Sequence, residues 1–206
     1  METLKTAFAE MSECSNWSLQ LLKISTSKTA GTKYASRQIQ LEPASEMVSF
    51  ISEISKKYLS RGKGSLDSYT DIVDYDGTAS GTTIYKLDKE NTLIASEYDA
   101  FLTEIANPDV EADPFAYTSA YVLKGIIPIA DDEIPVKMVS MQSPITKLKQ
   151  KFQLLHPSGR FSQITHPILT LRTSVDVVII GDTIYFLTLA GENLFNMARA
   201  YKAVCH

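Results

Sequence analysis

The sequence has little of what metal and catalytic sites are usually built from. Its 206 residues include two cysteines, Cys14 and Cys205, and three histidines. Two cysteines so far apart in sequence form neither a disulfide framework nor a zinc site. His156 and His166 each precede a proline and lack the spacing of a metal-binding pair, and His206 is the last residue. We therefore expect no metal, no cofactor and no acid–base histidine.

Long apolar runs and nucleotide-binding loops are also missing. No segment approaches the roughly 20 apolar residues of a membrane-spanning helix. The N-terminal residues 1–11 have no apolar signal core. Gly77–Gly81 is rich in glycine and serine, but no lysine and helix follow it as they do in a phosphate-binding loop. These absences predict an intracellular, soluble protein without evident catalysis.

Charge is distributed unevenly along the chain, although the net charge is only −4. From Asp67 to Glu133 there are fifteen acidic residues and three basic ones. Two stretches, Cys14–Leu41 and Ile134–Val175, contain no acidic residue. Their bases are Lys23, Lys28, Lys33 and Arg37 in the first, and Lys137, Lys147, Lys149, Lys151, Arg160 and Arg172 in the second. This asymmetry predicts a basic face and an acidic face on one body.

Helical and strand periodicities alternate and predict an α+β fold, with helices packed on a mixed, mostly antiparallel sheet. Helices are predicted at 3–13, 44–60 and 91–106, and a last one starts near Gly191 and buries Leu194, Ala198 and Tyr201. Strands are predicted at 17–24, 34–41, 82–87, 117–127, 136–141 and 164–171. We expect a helix-rich region over 1–116 and a sheet-rich region over 117–206, continuing in a longer protein.

The best local signal is a hairpin over residues 175–189. Val175–Ile180 and Thr183–Leu189 are two nearly all-apolar strands joined by Gly181-Asp182. Glycine in the first turn position favours the type II′ geometry of tight hairpins. Strands that are apolar on both faces belong in the centre of a sheet with both faces covered.

The run Lys147–Phe152 has two interpretations. As a strand it places Lys147, Lys149 and Lys151 on one face, about 7 Å apart, which is close to the phosphate spacing of an extended nucleic-acid strand. As a helix it would begin with Ser143 as the cap and Pro144 in the first turn. We favour the strand, because the run leads into the turn at residues 156–159. In both cases the lysines point outward.

Asp176 is the one residue that suggests a nuclease. Many magnesium-dependent nucleases hold the metal with an Asp at the start of a strand and a Glu-x-Lys on its neighbour. Here the neighbouring strand, Ile184–Thr188, has neither Glu nor Lys. A structural role, accepting hydrogen bonds at a strand start, is the simpler interpretation of Asp176.

Residues 169–201 resemble the KwaB family, the cytoplasmic components of the bacterial Kiwa antiphage defence system. The residues that carry the likeness are Leu169-Thr170-Leu171, Val175-Asp176, Gly181-Asp182, Ile184-Tyr185-Phe186 and Leu194-Phe195. The family's usual aromatic-Glu step at the start of the last helix is replaced by Gly191-Glu192-Asn193.

The resemblance implies an antiphage protein that binds DNA, assembles into a homo-oligomer and is recruited to the inner membrane by a small transmembrane partner resembling KwaA. The candidate phosphate contacts are then Lys147, Lys149, Lys151, Arg160 and Arg172. Such contacts give salt-dependent affinity with little base specificity. Two alternatives stay open: a metal-dependent nuclease using Asp176, and an adaptor that binds proteins, not DNA, through the acidic residues 97–113 or 131–133.

Overall fold

Eight strands form one mixed sheet that carries helices on both faces. The computed structural model describes residues 1–14, 16–27, 31–76, 81–91, 94–108, 118–129, 132–141, 154–155, 162–163 and 171–197. The helices are α1 (Glu2–Glu10), α2 (Ser45–Leu59) and α3 (Ala95–Ala106), with short 3₁₀ turns at Leu66–Ser68 and Leu189–Leu194. The strands are β1 (Ser18–Ser27), β2 (Gly31–Ile39), β3 (Asp71–Asp74), β4 (Thr83–Asp88), β5 (Ala120–Ile129), β6 (Asp132–Met141), β7 (Leu154–Leu155), β8 (Ser162–Gln163), β9 (Val177–Ile180) and β10 (Thr183–Phe186).

The sheet follows the order β2-β1-β5-β6-β9-β10-β4-β3, with β7 and β8 paired separately. All neighbours in the large sheet are antiparallel except β3 and β4. This confirms the predicted α+β class with a mostly antiparallel sheet. Strands from both predicted regions, 1–116 and 117–206, contribute to this sheet.

Side chains alternate across the strands and give the sheet two covered faces. We call them the α1–α2 face and the α3 face. On the α1–α2 face, the buried strand residues Leu21, Tyr121, Leu123 and Met138 belong to one apolar cluster with Phe8, Ile54 and Tyr58 of the helices. On the α3 face, Leu22, Val122, Val139, Ile179 and Ile184 belong to a second cluster with Tyr98, Phe101 and Ile105 of α3.

The central hairpin is confirmed, with shorter strands than the sequence predicts. β9 is buried throughout, and Gly181 turns into β10 with a φ of 57°. β9 spans Val177–Ile180, and Val175 lies outside the ladder because its backbone is bonded to a side chain. The Tyr58 hydroxyl accepts from the Val175 N–H at 2.7 Å and donates to its carbonyl at 2.9 Å.

The α-helix predicted from Gly191 is wrong in its first turns. The chain forms 3₁₀ turns over Leu189–Leu194 instead. Gly191 is buried so closely that an added Cβ would lie 2.7 Å from a Val177 methyl and 2.9 Å from the Asp176 carbonyl. Leu194 is buried as predicted. Ala198 and Tyr201 lie outside the described residues, as does all but the last residue of the strand predicted at 164–171.

Candidate nucleic-acid interface

Of the five predicted phosphate contacts, only Arg172 lies in the part of the chain that the structure describes. Lys147, Lys149, Lys151 and Arg160 all fall outside it. The side chain of Arg172 is exposed, and its carbonyl accepts a hydrogen bond from the Tyr121 hydroxyl. Because Tyr121 projects from β5 on the α1–α2 face, Arg172 lies above that face of the sheet.

A second group of bases lies on β1 and β2, in the first acid-free stretch. Lys23 pairs with Ala35, so Lys33 and Arg37 are its two diagonal neighbours across the hairpin. The pairing register puts all three on the α1–α2 face, together with Leu21. Diagonal neighbours in an antiparallel pair lie about 7–8 Å apart. We call Lys23, Lys33 and Arg37 the basic trio.

The outer half of this hairpin is a two-stranded ribbon in the described part of the chain. β5 pairs with β1 only over Ser18–Leu22, whereas β2 pairs with it as far as Ser27. Ser25, Thr26 and Ser27 are exposed, and so is Lys33 on the other strand. Lys28, in the turn between the strands, lies outside the described residues. The ribbon thus carries hydroxyl and ammonium groups, and its own sequence contains no carboxylate.

Acidic residues gather at the opposite edge of the sheet. Exposed carboxylates lie on β3, on β4 and just beyond them: Asp71, Asp74, Asp76, Asp88 and Glu90. The two lysines there are engaged in ion pairs, Lys86 with Asp74 at 3.2 Å and Lys89 with Asp182 at 2.8 Å. The described part of the sheet therefore runs from a basic edge at β2 to an acidic edge at β3.

The charge asymmetry could be predicted from the sequence, but the two-stranded ribbon was not predicted. Ser25–Gly31 reads as a polar loop, and Tyr34–Leu41 is a weak strand pattern, because hydroxyl residues and glycine show no apolar alternation. The signal that could have identified the hairpin is Gly31, because a short segment containing glycine between two strand candidates is typical of a hairpin. Only the pairing register shows that the three bases share a face.

Asp176 is buried, at 7% exposure, and both of its carboxylate oxygens are in use. One accepts the Met141 N–H at 2.7 Å, and the other accepts the Thr188 hydroxyl at 2.5 Å. Its own backbone joins the ladder by donating to the Val139 carbonyl at 2.8 Å. The carboxylate therefore ties the end of β6 to the chain just after β10.

The surroundings of Asp176 are phenolic, and burial raises the pKa of Tyr58, Tyr69 and Tyr121, with the negative charge of Asp176 contributing in the same direction. Magnesium sites in nucleases need several carboxylates on one cation. Among the described residues, no three His, Cys, Asp or Glu side chains are grouped so that they could hold a metal ion. Nor does any described helix have the length and apolarity to span a membrane.

No family model, no curated protein and no solved structure matches the chain.

Proposed function

We propose that the protein binds nucleic acid without sequence specificity, through the basic edge of its sheet. The observation that carries the proposal is the placement of the basic trio on one face of the β1–β2 hairpin, whose sequence contains no acid. Arg172 lies above the same face, in the second acid-free stretch of the sequence.

The shape of the ribbon supports this function. A two-stranded β-ribbon fits the major groove of duplex DNA, which is about 12 Å wide. Lysine, arginine, serine and threonine are the side chains that most often contact phosphate and sugar. The acidic residues of β3 and β4 lie at the opposite edge of the sheet from β2. A carboxylate that does lie at β2, that of Glu104, accepts the Ser36 N–H at 2.7 Å.

The biological role and the partners are proposed from the resemblance to the KwaB family alone. The proposed role is antiphage defence, as a homo-oligomer at the inner membrane with a transmembrane partner resembling KwaA. The acidic edge would suit a basic surface on such a partner, because complementary potentials orient an encounter. Lys147, Lys149, Lys151 and Arg160 are proposed to extend the same interface.

The test is fluorescence anisotropy of a labelled duplex at several salt concentrations, with and without magnesium. Lys23→Gln/Lys33→Gln should weaken binding to all sequences alike. If each lysine contacts one phosphate, the double variant should reduce the slope of log affinity against log salt by roughly 1.8, since each contact contributes about 0.9. The matched control is Lys86→Gln/Lys89→Gln at the acidic edge, which should leave the slope unchanged.

Three outcomes would overturn parts of this assignment. Equal effects of the two double variants would remove the ribbon from the interface. No binding even at low salt would favour the adaptor function. Magnesium-dependent cleavage that disappears in Asp176→Ala would establish the nuclease alternative.

A further inference from the structure

Two lysines stand directly opposite each other in the middle of the sheet, away from the basic trio. Lys124 of β5 pairs with Lys137 of β6, and both project onto the α3 face. Cβ atoms of directly opposed residues lie about 5 Å apart, and like charges in such pairs destabilise a sheet. Both side chains are partly buried. Two like charges opposed at the centre of a sheet are unfavourable unless another group compensates their repulsion.

Neither ammonium group is neutralised by a carboxylate within the described ranges. Lys124 donates to the carbonyl of Ile105 at the end of α3, at 2.6 Å. Lys137 makes no ion pair there, and the acid that attracts it most, Asp182, is already bonded to Lys89 at 2.8 Å. Burial lowers the pKa of Lys124, and for Lys137 burial and then the charge of Lys124 lower the pKa.

A buried amide completes the cluster. The Nε2 of Gln20 donates to the same Ile105 carbonyl at 3.0 Å, so the amide lies beside the Lys124 ammonium. Gln20 is fully buried, and its Oε1 has no hydrogen-bond partner. A buried polar atom without a partner costs about 1–3 kcal/mol, so this oxygen lacks a donor that a ligand could supply.

These features match one ligand chemistry. Two ammonium groups balance the two negative charges of a phosphate dianion. The donor for the Gln20 Oε1 would be the remaining O–H of free hydrogen phosphate or, in a monoester, a hydroxyl of the esterified group. Next to the pair on the same face, Ile126 is 43% exposed, so the cluster opens to solvent at this end of the sheet. We propose that Lys124 and Lys137 form a binding site for a phosphate dianion, either free phosphate or a phosphate monoester.

The first experiment measures thermal unfolding in sodium phosphate and in sodium chloride of equal ionic strength. Phosphate should raise Tm saturably in the native protein, because a ligand that binds only the folded state stabilises it. Lys137→Met, which keeps an unbranched side chain but removes the ammonium group, should abolish that rise. Lys33→Met, on the other face, should retain it. An equal rise in both variants, or no rise in the native protein, would refute the site.

The second experiment uses the native protein, so its result does not depend on whether a variant folds. Pyridoxal 5′-phosphate carries a phosphate and an aldehyde; the aldehyde condenses with a lysine amine to an imine, releasing water, and borohydride reduces the imine to a stable amine. We expect peptide mapping to find the label on Lys124 or Lys137 before the exposed Lys33, with inorganic phosphate suppressing it. Labelling of Lys33 first, or labelling that phosphate leaves unchanged, would refute the proposal.

Competition then distinguishes the two sources of phosphate. Adenosine 5′-monophosphate that suppresses the label at a tenfold lower concentration than inorganic phosphate would identify a monoester as the ligand. Equal suppression by the two compounds would identify the free dianion. This site lies on the opposite face from the basic trio, so its labelling is independent of duplex binding by the ribbon.

Discussion

Replacing Asp176 tests whether its carboxylate is structural or catalytic. Asp176→Ala removes the acceptor of the Met141 N–H and of the Thr188 hydroxyl and leaves both donors without a protein partner. Asp176→Asn keeps the shape. Its oxygen can still accept from the Met141 N–H, and its amide can donate to the Thr188 hydroxyl once that group rotates.

The expected magnitudes follow from these two bonds. A hydrogen bond to a charged group contributes about 1.5–3 kcal/mol, and a buried unpaired donor costs about 1–3 kcal/mol. Because Met141 and Thr188 are only partly buried and water can reach the gap, we expect Asp176→Ala to lower the free energy of unfolding by about 3 kcal/mol. Asp176→Asn should lower it by about 1 kcal/mol, since it loses only the charge assistance.

Urea unfolding followed by the fluorescence of Trp17, the single tryptophan, measures both losses. Thr188→Val is the matched control: it removes one of the two donors and should cost about 1.5 kcal/mol. A loss below about 1 kcal/mol in Asp176→Ala would refute the structural role. A rise in the urea midpoint of the native protein on adding magnesium would also contradict it, because metal binding by the folded state stabilises that state.

Three further predictions concern packing and ionisation. Gly125→Ala would place a Cβ 2.7 Å from the Trp17 ring, so we expect a shifted emission maximum and a loss of about 2 kcal/mol in urea unfolding. Gly191→Ala would contact the Asp176 carbonyl at 2.9 Å and should lower Tm, whereas a change at the open Gly81 should be nearly neutral. Burial raises the pKa of Tyr58, so this phenol stays neutral in the folded protein while the unfolded chain ionises it near pH 10. Stability should therefore be complete below pH 10 and fall above it, by up to about 1.4 kcal/mol per pH unit from this group, in urea titrations with Tyr58→Phe as the comparison.

Helices and the central hairpin could be predicted because their signals are local. The apolar stripe of α2 and the two apolar runs around Gly181 depend on residues within one turn or one strand pair. The bounds of β9 could not be predicted, since Val175 leaves the strand ladder for the hydroxyl of Tyr58, 117 residues away in the chain. The 3₁₀ turns at Leu189–Leu194 likewise depend on the close contact of Gly191 with β9.

The candidate sites likewise combine features that are visible in the sequence with features that depend on strand pairing. The acid-free stretches are visible in the sequence, and so is the ambiguity of Asp176. The sequence does not show that Lys23, Lys33 and Arg37 share one face, because a shift of register by one residue would turn a strand's side chains to the other side. The pairing of Lys124 with Lys137 depends in the same way on the register of β5 against β6.

The class of the fold, most local elements and the unequal distribution of charge could be predicted from sequence, because each is a property of short segments or of composition. The order of the strands, and with it the positions of the charges, depends on the tertiary structure. In the tertiary structure β2 and β3 lie at opposite edges of the sheet, and Lys124 pairs with Lys137. The carboxylate of Asp176 accepts hydrogen bonds from two donors. The physical reason is that strand pairing joins residues far apart in the chain, and burial of both faces selects one register among many.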